Sequence, residues 1–235
     1  MIKTLVNNIR TTKTKKDGKV EVRFVYKDKA CPAIEINSNL GKICADFQLI
    51  IKDLEIIEST LETAITFIKK LAPSAEQGKN FDRQNADHII FNSLLISAIV
   101  TYWKCFAAST HRSGKIPEQK LRKTLGETLY DTHELIKEKR HSFVAHGGKN
   151  QHESAKTIIL LDPYAEAPAE LIFHTSFEHF GISEHIDSFL LLVSKVLDLT
   201  RKTQAEKCSA LLKELGETNF DELRKTAVDY LIFLD

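Results

Sequence analysis

A chain of 235 residues with a formal net charge of only +1 at pH 7 is too balanced to be a globally basic nucleic-acid binder. Hydrophobic residues make up 43% and charged residues 28%, an ordinary globular composition. With 9 glycines and 5 prolines it is not a disordered, fibrous or loop-rich chain, and long helices are expected.

The charge is uneven. Residues 1–29 carry a net +6, which leaves −5 for the remainder. Such an arm either touches phosphate or is simply a solvated hairpin surface. Within it Val20, Val22, Phe24 and Tyr26 alternate with Glu21, Arg23, Val25 and Lys27, the period of a half-buried strand. Asp17-Gly18 just before is a tight-turn signal. Residues 1–35 are therefore expected to be a basic β-hairpin extension and residues 36–235 a helical domain. The opening MIKTLVNNIRTTKTKK has no apolar run of signal-peptide length. Cys31, Cys44, Cys105 and Cys208 show no CxxC spacing, so neither a disulfide framework nor a thiolate zinc site is indicated. A cytoplasmic location is expected.

Residues 37–72 read as a long helix. Leu40, Ile43, Phe47, Ile50, Leu54, Ile57, Leu61, Ala64, Ile68 and Leu71 alternate spacings of three and four, a coiled-coil-like seam. Asn37, Ser38 and Asn39 offer caps, and Pro73 is the expected stop. A second helix is expected over 83–109. It has no charge from Ile89 to Trp103 and apolar side chains on every face, which predicts a fully buried central helix. That run is shorter than the ~20 residues of a membrane span, so no membrane partner is expected. Tyr102 and Trp103 are read as core.

A third helix is expected from Pro117 to His146, ended by Gly147-Gly148. KTIILL (156–161) and ELIFHT (170–175) read as a strand pair inserted before a fourth long helix capped by Ser183. Asn219 with Glu222 forms a capping-box pattern that predicts a last helix over 220–233. The expected fold class is mainly α: an antiparallel helical bundle with an N-terminal β-hairpin and a second hairpin before the fourth long helix. The chain has no Gly-rich phosphate loop, GxSxG or HExxH pattern, and His174, His179 and His185 are scattered unlike metal ligands. No cofactor and no metal site are expected.

The most informative stretch is LIKEKRHSFVAHGG, residues 135–148. On an ideal wheel of ~100° per residue, Leu125, Leu129, Thr132, Ile136 and Phe143 form a buried stripe. Arg140 and His146 flank that stripe on either side, and His141 falls toward the opposite face. An arginine can fork onto a phosphate, and a histidine exchanges a proton near neutral pH. Together they supply the charge clamp and the acid or base that phosphodiester cleavage needs. Lys137, Lys139 and Lys149 surround the pair. They either guide RNA phosphates or form a solvated charged face.

RHSFVAHGG resembles the signature of the HEPN superfamily (higher eukaryotes and prokaryotes nucleotide-binding domain): an Arg, four to six residues, then a His. Here Arg140 and His146 are separated by five, and His141 fills the polar position that often follows the Arg. The resemblance covers about residues 37–215. It implies a helical-bundle homodimer in which Arg140 and His146 of both subunits line a shared cleft, with His141 in support. It further implies metal-independent RNA cleavage by 2′-hydroxyl attack, in a toxin–antitoxin or phage-defence setting, with an antitoxin protein as a possible partner. The alternative is a non-catalytic HEPN-like module that binds a nucleotide, RNA or protein. The Tyr that marks the nucleotidyltransferase-modified subgroup is replaced here by Gly148.

Overall fold

The structure is a computed structural model, and it describes residues 9–75, 85–107, 112, 114–141, 153–160, 170–177, 185–216 and 224–234. In chain order the elements are β1 (Ile9–Lys16), β2 (Lys19–Tyr26), β3 (Lys29–Cys31), α1 (Asn39–Ala75), α2 (Ala86–Lys104), α3 (Glu118–Lys139), β4 (Glu153–Leu160), β5 (Glu170–Phe177), α4 (Ile186–Gly216) and β6 (Leu231–Leu234). The fold is mainly helical with a small antiparallel sheet. The chain forms two compact units, one of Met1–Asp46 with Lys202–Asp235 and one of Phe47–Arg201. The boundary falls within α1 and α4.

The first unit holds a four-stranded antiparallel sheet. β1 and β2 pair from Ile9↔Tyr26 to Lys16↔Lys19. Asp17 (φ 52) and Gly18 (φ 69) both take positive φ, as a two-residue hairpin turn of matching twist requires. A second such turn at Lys27 and Asp28 returns β3 onto Phe24–Tyr26. The remaining length of that β2 edge, Lys19–Val22, pairs with β6. The expected helix over 220–233 is therefore too long: residues 224–226 are helical, but its last residues, Leu231–Leu234, are a strand. Backbone N–H and C=O groups along the open β2 edge need partners, and β-branched and aromatic residues suit a pleated surface. A main-chain bridge extends the join, with Ala33 N–H donating to Val228 O (2.8 Å) and Val228 N–H to Ala33 O (3.0 Å). β1 is exposed along its whole length, and among the described side chains of the sheet Val22 is buried.

The second unit is the helical core. Along α1, Phe47, Ile50, Leu54, Ile57, Leu61 and Ala64 are buried, as the seam predicts. Ser38 caps the helix through its Oγ, which accepts from Gly41 N–H at 3.1 Å. α1 runs two residues past Pro73, to Ala75. α2 opens on Asn85, whose side chain accepts from Asp87 N–H at 2.9 Å. Phe91, Leu95, Ala98, Ile99 and Tyr102 of α2 are buried, as are Phe189, Leu192, Val193, Val196 and Leu197 of α4. The rings of Tyr102 and Phe189 meet edge to face, centroids 5.5 Å apart. Asp53 of α1 receives Lys104 at 3.0 Å and Arg112 at 3.2 Å, tying the end of α2 to α1.

Full burial of α2 does not hold. Ile89, Ile90 and Val100 are 41–48% exposed. The core covers only one side of the helix, and the uncharged run reflects an open apolar face. Leu49 and Ile56 of α1 are exposed as well. Among the described residues no helix is long and apolar enough to cross a membrane. The expected second hairpin is present: β4 and β5 pair from Glu153↔Phe177 to Leu160↔Glu170.

Candidate functional site around the end of the third helix

The motif helix α3 is broken. Gly126 has φ 73 and ψ 168, a conformation essentially restricted to glycine. The wheel drawn through this position therefore misplaces the residues before it. Thr132 and Ile136 are buried as expected, but Leu125 and Leu129 are only half-buried. His133 and Lys139 join the buried set in their place.

His133 is fully buried and surrounded by rings: Phe106 at 5.0 Å, Tyr130 at 5.7 Å and Tyr102 at 5.8 Å between centroids. Its Nδ1 lies 2.9 Å from the Tyr102 hydroxyl. Its Nε2 is buried without a hydrogen-bond partner, 3.9 Å from Glu118 Oε1. A proton on Nε2 points toward that carboxylate and leaves Nδ1 to accept from Tyr102 O–H. Burial pushes the imidazole below its ordinary pKa, against the pull of Glu118 and Glu134. Burial likewise raises the Tyr102 phenol well above its usual range. This corner is thus a neutral, hydrogen-bonded plug.

Glu118 also faces Lys137, 3.5 Å from its Nζ, and Glu134 lies at the same distance. Burial acts to lower the Lys137 pKa, but the two carboxylates outweigh it and hold it above the ordinary value. The same ammonium sits 5.6 Å from the centre of the Trp103 ring. Lys137 is therefore engaged with the fold, and Lys139 is buried. Neither has the setting of a solvated cation reaching for RNA.

Past Lys139 the helix widens into a π-helical turn at Arg140 and His141. Such turns are rare and recur at functional sites. Arg140 is half-buried, and its Nη1 lies 3.2 Å from His141 Nδ1. A guanidinium only donates, so Nδ1 accepts and the His141 proton resides on Nε2. The His141 ring packs edge-on against Trp103 at 5.4 Å. His141 is exposed, on the side away from the buried Ile136 and Thr132 where the wheel puts it. Among the described residues no carboxylate forms an ion pair with Arg140.

His146 and Lys149, with Phe143, lie outside the described residues. His133 and Tyr102 are what the sequence reading missed as a polar pair. A signal was present: His133 and Arg140 stand seven apart, two helical turns along one face. Among the described residues no group of three or more His, Cys, Asp or Glu gathers as a metal site. Comparison with protein-family models, with curated proteins and with solved structures finds no match.

Proposed function

We propose that the chain is a metal-independent endoribonuclease of HEPN type, acting in a toxin–antitoxin or phage-defence setting. The observation that carries this reading is Arg140. It is a half-buried guanidinium at a π-helical turn, with no carboxylate ion pair among the described residues, braced by His141 and Trp103. A cation held this way is preorganised for an anion, and the RHSFVAHGG sequence places His146 six residues on.

In the proposed reaction the RNA 2′-oxygen attacks the adjacent phosphorus while a histidine takes its proton. The phosphorane that forms gains negative charge, which Arg140 neutralises. The bond from phosphorus to the 5′-oxygen then breaks, and that oxygen leaves with a proton from a second histidine. The products are a 2′,3′-cyclic phosphate and a 5′-hydroxyl. His146 from each of two subunits supplies the acid and the base. Homodimer assembly is supported by the apolar residues exposed along α1 and α2.

One observation favours the alternative, a HEPN-like module that binds RNA, a nucleotide or a partner protein without cleaving. Lys137 is committed to Glu118 and Glu134, and Lys139 is buried, which leaves the site less cationic than its sequence suggests. The deciding experiment is incubation of the purified chain with single-stranded RNA in EDTA, followed by end-group analysis. Cleavage with cyclic phosphate ends is expected. Arg140→Ala and His146→Ala are each expected to slow it by about 10²–10³ or more, the loss for one electrostatic donor, with unchanged melting. Wild-type cleavage by both variants, or none by the native chain, removes the catalytic reading.

A further inference from the structure

We propose that Cys44 and Cys208 form an oxidation-sensitive pair, which peroxide converts into a reversible disulfide that staples the start of α1 to the end of α4. The site is independent of the RNA reading: both cysteines belong to the first compact unit, and Arg140 belongs to the second.

The pair arises where two helices meet. Gln204 Nε2 donates to Cys44 O at 3.3 Å, a contact between positions 160 apart in sequence. Cys208 follows Gln204 by one helical turn, on the same face of α4. Its side chain reaches the Cys44 thiol, and the two hydrogen-bond to each other. The two sulfurs differ in access. Cys44 is buried at 8% exposure, whereas Cys208 is half-buried. An oxidant arriving from solvent therefore meets Cys208 first. Cys105 offers a contrast: it is buried, and its thiol donates to Thr101 O at 3.5 Å, four residues back along its own helix.

Attack by the Cys208 sulfur breaks the O–O bond of hydrogen peroxide. One oxygen stays on Cys208 as a sulfenic acid, and the other departs as water with the thiol proton. The Cys44 sulfur then attacks the sulfenic sulfur. The S–O bond breaks, and the departing hydroxide takes the Cys44 proton and leaves as a second water. The two thiols lose two electrons, and the peroxide gains them. Burial and the adjacent Cys208 push the Cys44 thiol up to about 11, with Lys207 acting against them. Cys44 is therefore a poor first target. A sulfur of high pKa is nonetheless the stronger intrinsic nucleophile once it is placed against its target, and the contact with Cys208 supplies that placement. Bonding at ~2.05 Å draws the two sulfurs together from hydrogen-bonding contact. The bond closes a long loop, and the constraint that a disulfide puts on the unfolded chain grows with loop length.

The test treats the full chain with hydrogen peroxide, blocks the remaining thiols with N-ethylmaleimide in denaturant, and maps the peptides by mass. A peptide pair linked through Cys44 and Cys208 within one chain is expected, and dithiothreitol should release it. The oxidised chain is expected to melt about 4–16 °C above the reduced one. Cys44→Ala removes the second sulfur, so dimedone should then trap the sulfenic acid on Cys208. Cys208→Ala removes the first target, and Cys44 is expected to stay reduced. Circular dichroism identifies a variant that fails to fold, and in that event the linked peptide and the melt of the native chain decide the question by themselves. Sulfinic or sulfonic acid on Cys208 in place of the link overturns the proposal. So does a link that runs through Cys31 or Cys105 or joins two chains instead, or an oxidised chain that melts no higher than the reduced one.

Discussion

Removing one oxygen from Tyr102 tests the buried corner that supports the end of α3. Tyr102 and His133 are both fully buried, and 2.9 Å separates the hydroxyl from Nδ1. Tyr102→Phe keeps the ring contacts with Phe106 and Phe189 but leaves Nδ1 unsatisfied in a dry site. Leaving one buried polar atom unpaired costs about 1–3 kcal/mol. In a chain of this size each kcal/mol lowers the melting temperature by about 2–4 °C, so a fall of roughly 2–12 °C is expected. His133→Leu strands the hydroxyl in turn and carries a similar penalty. The double variant removes both partners, which is nearly neutral for the pair itself. The cycle should therefore show a coupling of about 0.5–3 kcal/mol by urea unfolding. Acidity adds a second readout. His133 is held below its ordinary pKa, mainly by burial. The unfolded chain takes up this proton near pH ~6.5, so below that pH it binds more protons than the folded chain. The stability contributed by the neutral imidazole is thus complete above pH ~6.5 and is lost as pH falls through the depressed folded value. His133→Leu should remove that part of the acid slope. Additive single effects, or an unchanged melt for Tyr102→Phe, refute the hydrogen bond.

Two further outcomes follow from the same structure. Gly126→Ala meets no neighbouring atom within 4 Å, so its penalty is backbone strain alone, about 1–3 kcal/mol at φ 73, and thermal melting measures it. Cys105 is pushed up to about 12 by burial, and Cys44 to about 11 by burial and its neighbour Cys208. Iodoacetamide at pH 8 should therefore modify Cys31 in the native protein and reach Cys44 and Cys105 only on unfolding, as peptide mass mapping will show.

Much of the helical core was legible because it rests on local periodicity. The seam from Phe47 to Ala64 is buried as its spacing of three and four implies. Asp17-Gly18 made the turn its chemistry favours, with both residues at positive φ. Ser38 capped α1 by the side-chain bond its type provides. The third helix was harder. Its register was continuous in sequence, yet Gly126 broke it, and every angle counted across the break shifted. His141 lies exposed, as its outward place on the wheel implies.

By itself, then, the sequence determined what depends on neighbours along the chain: the helical periods, the hairpin turn, the caps and the Arg140-to-His146 spacing. Tertiary structure decided what depends on distant partners. Leu231–Leu234 became a strand because β2, over two hundred residues earlier, presents an open edge along Lys19–Val22. The uncharged face of α2 stayed partly exposed because the core covers only the side carrying Phe91, Leu95, Ile99 and Tyr102. His133 became a buried acceptor because Tyr102, thirty-one positions away, offers it a hydroxyl. Unmet backbone and side-chain hydrogen bonds are too costly to leave in a dry interior, so the fold places such groups beside partners that local spacing does not reveal.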